Sequence, residues 1–112
     1  MVEIIRSFLN GLNLIIILWL LSVKPRHGYE IIKEFRRLTG VDMNPGAIYP
    51  LLHSLEKEGL TLSRWISDKE KNMSRRCYFL TVRGKRLFNR FRILFKERLR
   101  SFAESLLLDV DS

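Results

Sequence analysis

Asn44, Tyr49 and His53, followed along the chain by Lys69, Lys71, Arg75 and Arg76, are the side chains whose types and spacing carry chemistry in this sequence. An amide, a phenol and an imidazole spaced about one helical turn apart can hydrogen-bond base edges, and a knot of long cations can follow phosphates. The chemistry is recognition of a polyanion without bond-making. His27 and His53 form no metal pair, no carboxylate cluster has ligand spacing, and Cys77 is the only cysteine. No Gly-rich phosphate loop, nucleophile elbow or Cys–His arrangement occurs. No catalytic residue, metal site or cofactor is expected, and an enzyme is not expected.

The elements that position these groups follow from local signals. Asn44 can accept a bond from an orphan backbone N–H, and Pro45 at the first helical position lacks the donor that would be wasted there. This predicts a third helix from Pro45 to about Glu58, closed by Gly59. Ile48, Leu51, Leu52 and Leu55, at steps of three and four, then face the core and leave Gly46, Ala47, Tyr49, Pro50, His53 and Lys57 opposite. Small Gly46 and Ala47 would let the helix end approach a groove floor. Asn44-Pro45-Gly46 alone reads equally as an ordinary cap. Pro50, inside the helix, removes a backbone bond at a cost of roughly 3 kcal/mol and implies a bend, a local widening or a shortened first turn.

Leu60 to Ile66 and Cys77 to Leu80 read as two antiparallel strands. The charged stretch between them has no glycine and no proline, which predicts a long mobile connection. A second helix is expected from His27-Gly28 to about Leu38, stopped by Gly40, with Lys33, Arg36 and Arg37 turned to solvent. The first helix is expected from Leu12 to Val23, ahead of Pro25. Its apolar block, Leu14 to Leu21, is preceded by Asn10, Gly11 and Asn13 and falls short of the roughly 20 residues of a membrane span, so no membrane partner is expected. Trp19 and Trp65 lie in strongly apolar segments and read as core.

Thr81 is a plausible cap for a last helix reaching about Leu108. Phe88, Phe91, Phe95, Leu99, Phe102 and Leu106 follow steps of three and four, a stripe near the 3.5-residue repeat of a coiled-coil seam. Such a helix is about 40 Å long, more than a small domain can cover, and a second copy is the simplest cover. The first helix is apolar around most of its circumference, so Leu14, Ile17 and Leu18 are assigned to the same contact.

The chain has 112 residues, one domain's worth, with 46% hydrophobic and 29% charged residues, the balance of a globular protein. Its net charge of +8 is uneven: residues 1 to 60 hold 7 basic and 6 acidic side chains, residues 61 to 112 hold 13 and 6. Such a field favours nucleic acid or an anionic membrane surface. A single cysteine permits no intrachain disulfide and is consistent with a reducing cytoplasm. The expected fold is mainly α with a small β-hairpin: a winged helix-turn-helix over residues 1–81, including the N-terminal helix, and a C-terminal dimerisation helix over 82–112.

The sequence resembles the PadR family of winged-helix transcription regulators. The resemblance rests on HGYEI from His27 to Ile31, PGAIYPLLHSLEKEGL from Pro45 to Leu60, Arg64-Trp65, and RRCYFLTVRGKRLF from Arg75 to Phe88. It implies a homodimeric regulator, often a repressor, that binds a palindromic duplex operator through the third helix and the wing. By motif position, Tyr29, Asn44, Gly46, Ala47, Tyr49, Pro50 and His53 look DNA-facing, and Arg75 and Arg76 look like wing contacts. The wing lacks the glycine often found in the family, and only one helix follows it. Some relatives bind aromatic or multidrug ligands at the dimer centre. By that resemblance Phe88, Phe91, Phe95 and Trp19 would line a groove for a small aromatic effector, although the residues themselves suggest dense packing. The alternatives are an architectural DNA binder with little sequence preference and a basic amphipathic protein of membrane surfaces.

Overall fold

The computed structural model describes residues 2–108, so Met1 and residues 109–112, the end of the expected C-terminal segment, lie outside the description. The elements run α1 (Val2–Val23), β1 (Arg26–His27), α2 (Gly28–Thr39), α3 (Pro45–Lys57), β2 (Thr61–Asp68), β3 (Met73–Leu80) and α4 (Val82–Leu94). A π-helical turn (Phe95–Leu99) then joins α4 to α5 (Arg100–Leu108). The sheet is antiparallel with strand order β1-β3-β2. This is the expected winged helix-turn-helix, mainly helical, with a long C-terminal helical arm.

Local chemistry explains where the helices begin and end. His27 caps α2 by accepting the Glu30 N–H on Nδ1 at 3.3 Å, and the Glu30 carboxylate accepts the His27 N–H at 3.4 Å. Reciprocal bonds of this kind satisfy two orphan donors at once. Asn44 caps α3 through Oδ1, which accepts the Ala47 N–H at 2.9 Å. At the far end Gly59 adopts φ 73°, which lets the Leu60 N–H return to the Leu55 carbonyl at 2.9 Å and turns the chain into the hairpin. Thr81 caps α4 by accepting the Gly84 N–H at 3.0 Å.

One core gathers Ile17, Leu18, Leu20 and Leu21 of α1, Ile31 and Phe35 of α2, Ile48, Leu52 and Leu55 of α3, Tyr78 and Leu80 of β3, and Phe88 of α4. Met43, between α2 and α3, joins it. Leu51 packs against this cluster from a partly buried position. Arg26 is buried as well and donates Nε to the Leu20 carbonyl at 3.1 Å, satisfying an acceptor near the end of α1.

Several expectations are corrected here. The first helix starts ten residues earlier than Leu12, because Asn10 and Gly11 are exposed and a solvated helical face accommodates them. At 22 residues, with a mean hydropathy of 1.9 over its most apolar stretch, α1 is long and apolar enough to cross a membrane by length and composition. The burial of Ile17, Leu18, Leu20 and Leu21, rather than the shortness of the apolar block, commits the second half of α1 to the domain. Ile17, Leu18 and Phe88, assigned to a dimer face, are 0%, 1% and 4% exposed and are covered by their own chain. Trp19 and Trp65, read as core, are both exposed.

The hairpin also departs from its sequence reading. Both strands are eight residues long, paired from Thr61 opposite Leu80 to Asp68 opposite Met73, so only Lys69 to Asn72 remain as a turn. Asp68 Oδ1 accepts the Glu70 and Lys71 N–H groups at 3.1 and 3.3 Å, and Asn72 takes φ 51°. Asx bonding and a tolerant asparagine replace the glycine that was missing. The two-residue strand β1 was not foreseen at all.

Candidate nucleic-acid interface

The face of α3 opposite Ile48, Leu52 and Leu55 presents Asn44, Gly46, Ala47, Tyr49, Pro50 and His53, all exposed. The helix continues through Pro50, so the proline neither ends nor shortens it. Tyr29, at the start of α2, is 71% exposed beside this face. Gly28 is buried under Tyr49: a Cβ built there would come 2.5 Å from the phenolic oxygen. The tyrosine therefore spans the two helices of the turn motif, and only a glycine lets it lie that close.

The wing is tied to these helices by its arginines. Arg76 donates Nε to Ser63 Oγ at 2.8 Å and Nη2 to Glu56 Oε2 at 3.1 Å, and its guanidinium lies 5.7 Å from the Tyr78 ring centroid. Arg75 Nη1 lies 2.9 Å from His27 Nε2, at the N-terminus of α2. Both side chains were expected to reach outward to phosphate; Arg76 is exposed but is tied to Ser63 and Tyr78 of the hairpin and to Glu56 of α3. Lys69 and Lys71 on the turn are exposed and carry the wing's outward charge. Between α2, α3 and the wing lies a cleft of about 540 Å³ walled by Tyr29, Tyr49, Trp65, Ser74, Arg75 and Arg76.

Sequence reasoning missed three members of this arrangement. Glu56 faces Arg76 across twenty residues, a pairing that only the strand register creates. His27, which pairs with no second ligand for a metal, is both helix cap and wing neighbour. Trp65, which its apolar segment marks as core, is exposed and walls the cleft. Among the described residues no group of three or more His, Cys, Asp or Glu is arranged to hold a metal ion.

Cys77 sits on β3 opposite His27. Burial pushes its thiol up, the Glu30 carboxylate adds to the shift, and Arg75 opposes it. An acid whose pKa is raised holds its proton to higher pH, so little reactive thiolate exists near neutrality. Alkylation by iodoacetamide at about pH 8.5, where half of a free cysteine is ionised, should be slower than for cysteine itself and keep rising with pH. A pH–rate profile equal to that of free cysteine would contradict this environment.

A second concavity, of about 950 Å³, is walled by Ile15, Ile16 and Trp19 of α1, Leu38 of α2, Phe91 of α4 and Phe95 at the π turn. The rings of Phe88, Phe91 and Phe95 follow one another at 6.5 and 6.0 Å. Dense packing of these rings was the expectation; in the single chain they line an open apolar groove. Leu14 is partly buried beside it, and beyond it Phe95, Leu99, Phe102 and Leu106 remain exposed along the arm.

Comparison with known proteins gives these features a context. The family model described as the transcriptional regulator PadR-like family matches residues 17–90. A candidate transcriptional regulator from Thermoplasma acidophilum superposes with TM-score 0.78 at 30% identity, covering 94% of this chain and 99% of that one. A PadR-like transcription factor from Bacteroides fragilis gives TM-score 0.78 at 22% identity over 93% and 98%, which speaks to fold alone. Bacillus subtilis PadR, solved in complex with operator DNA, gives TM-score 0.62 at 29% identity over 71% of this chain and 45% of that chain. No curated protein matches the sequence.

Proposed function

The chain belongs to the PadR-like family of transcriptional regulators, and from that premise we propose that it is a homodimeric, sequence-specific DNA-binding repressor acting in the cytoplasm. In this reading α3 enters the major groove and the wing meets the flanking backbone or minor groove. The observation that carries it is the division of α3: Ile48, Leu52 and Leu55 are buried while Asn44, Gly46, Ala47, Tyr49, Pro50 and His53 form one exposed face beside a basic wing. The Bacillus subtilis relative solved on operator DNA adds support for this class of ligand.

The homodimer is supported by the exposed stripe Phe95, Leu99, Phe102 and Leu106, with the partly buried Phe91 and Leu14 nearer the domain. Residues 82–112 serve as the dimerisation segment, although Gly84 and Phe88 in the first turns of α4 are buried in the winged domain. The aromatic groove is the place for a small aromatic effector. No chemistry of an enzyme is assigned to it.

Purified protein should bind DNA from its own upstream region, resist competition by unrelated duplex, and lose affinity steeply across a salt series. Footprinting should reveal two half-sites separated by about one helical turn, the spacing a two-fold dimer imposes. Equal affinity for both duplexes would favour an architectural role, and liposome binding without DNA binding would favour a membrane surface.

A further inference from the structure

Trp65 occupies a position that the polar contacts do not explain. It stands on β2 directly opposite Arg76 and is 70% exposed, although an indole is a large apolar group that folding usually shelters. On its face of the hairpin, exposure rises from buried Tyr78 through Arg76 to Trp65. Arg76 is drawn inward by Glu56 and Ser63. The group left facing out is therefore aromatic, and it walls the cleft whose other side is Tyr29 and Tyr49.

A helix in the major groove and a wing against the neighbouring minor groove are separated on DNA by one sugar–phosphate strand. The cleft between α3 and the wing lies where that strand would pass. We infer that this cleft seats the strand, with the Trp65 indole packed on a deoxyribose and its N–H directed to a phosphate oxygen. Tyr29 and Tyr49 close the strand in from the opposite wall, and Arg75 supplies the charge between them. This rests on the DNA-binding reading above. It assigns Trp65 a contact that is independent of base sequence and nearly independent of salt, unlike the lysines of the turn.

The probe is a duplex recovered by the wild-type protein from a randomised library, with a scrambled duplex of the same length and composition beside it. Trp65→Ala should weaken binding to both by about thirtyfold, because the dimer loses two contacts at the low end of what an aromatic ring contributes on nucleic acid, about 1 kcal/mol each. The slope of log affinity against log salt should not change, because no charge is lost. Trp65→Phe keeps a flat face and should recover most of the loss. In a Trp19→Phe background Trp65 is the one remaining tryptophan of two, and its emission should shift and quench as duplex is added to the folded protein. This second readout decides the matter even if Trp65→Ala melts. Unchanged affinity in Trp65→Ala, or unresponsive Trp65 emission in a protein that binds, overturns the inference. A loss confined to the recovered duplex overturns the sugar contact in favour of base readout. A wild-type protein that binds neither duplex overturns the DNA reading itself, which is a separate result.

Discussion

Replacing Tyr49 and Arg75 together with alanine is expected to lower DNA affinity by about a thousandfold or more while leaving the protein dimeric. A side chain bonded to a base edge or phosphate contributes about 1–3 kcal/mol, and a two-fold dimer loses each contact twice. Four contacts at the low end of that range already amount to about 4 kcal/mol, a factor near a thousand. Neither residue touches the arm that carries Phe95, Leu99, Phe102 and Leu106, so association should persist. Each has a second task, since Tyr49 covers Gly28 and Arg75 neighbours His27. The binding measurement, by fluorescence anisotropy at fixed salt, is therefore paired with sedimentation and thermal melting. Tyr49→Phe separates the hydroxyl from the ring: it should keep the packing over Gly28 and lose only the hydrogen bond. Retention of full affinity by a folded, dimeric double variant would remove α3 and the wing as the reading surface.

The second large effect is on stability. Gly84→Ala should destabilise the fold by about 3 kcal/mol, the upper range for overpacking, and lower the melting temperature by about 15 °C at fixed protein concentration. A Cβ at this position would collide with the Leu60 carbonyl oxygen and reach 3.1 Å from the Leu60 carbonyl carbon. The obstacle is backbone, and that backbone is held from both sides: Leu60 N–H bonds the Leu55 carbonyl at 2.9 Å, and the Leu60 carbonyl accepts the Thr81 N–H at 3.1 Å. Relief would require shifting the end of α3 or the start of α4. Gly11→Ala is the matched control, because nothing stands within 4 Å of a Cβ there; helix propensity alone should make it neutral or stabilising by up to about 1 kcal/mol. Equal melting temperatures for the two variants would show that the α4–Leu60 approach is not tight in solution.

How much of this was legible in the sequence depends on the range of the interaction. The caps at Asn44 and Thr81, the stop at Gly59, and the buried set Ile48, Leu52 and Leu55 are decided within a few residues of each other, and they fall where the sequence placed them. The exposed face of α3 follows from the same periodicity. The errors arose where partners are distant. Nothing local announces that Glu56 meets Arg76, that Arg26 and His27 form a strand against Tyr78 and Cys77, or that Ile17, Leu18 and Phe88 are buried by their own chain. Trp65 misled for a related reason: hydrophobicity predicts burial on average, and a side chain left in the open is set by what else occupies its face of the sheet. The turn at Lys69 to Asn72 was missed because Asx bonding by Asp68 and a left-handed Asn72 stood in for glycine.

The tethering of the wing bears on the entropy of its encounters. A loop of about ten free residues would enter a complex with each of those residues still to be ordered, and every fixed residue costs about 1–2 kcal/mol at room temperature. Here the strands are paired to Asp68 and Met73, Arg76 is joined to Glu56 of α3, and Arg75 adjoins His27 at the head of α2. Most of that freedom is surrendered when the chain folds, together with the cost. A ligand that meets this surface finds helix and hairpin already at their mutual distance, so a larger share of each contact remains as affinity.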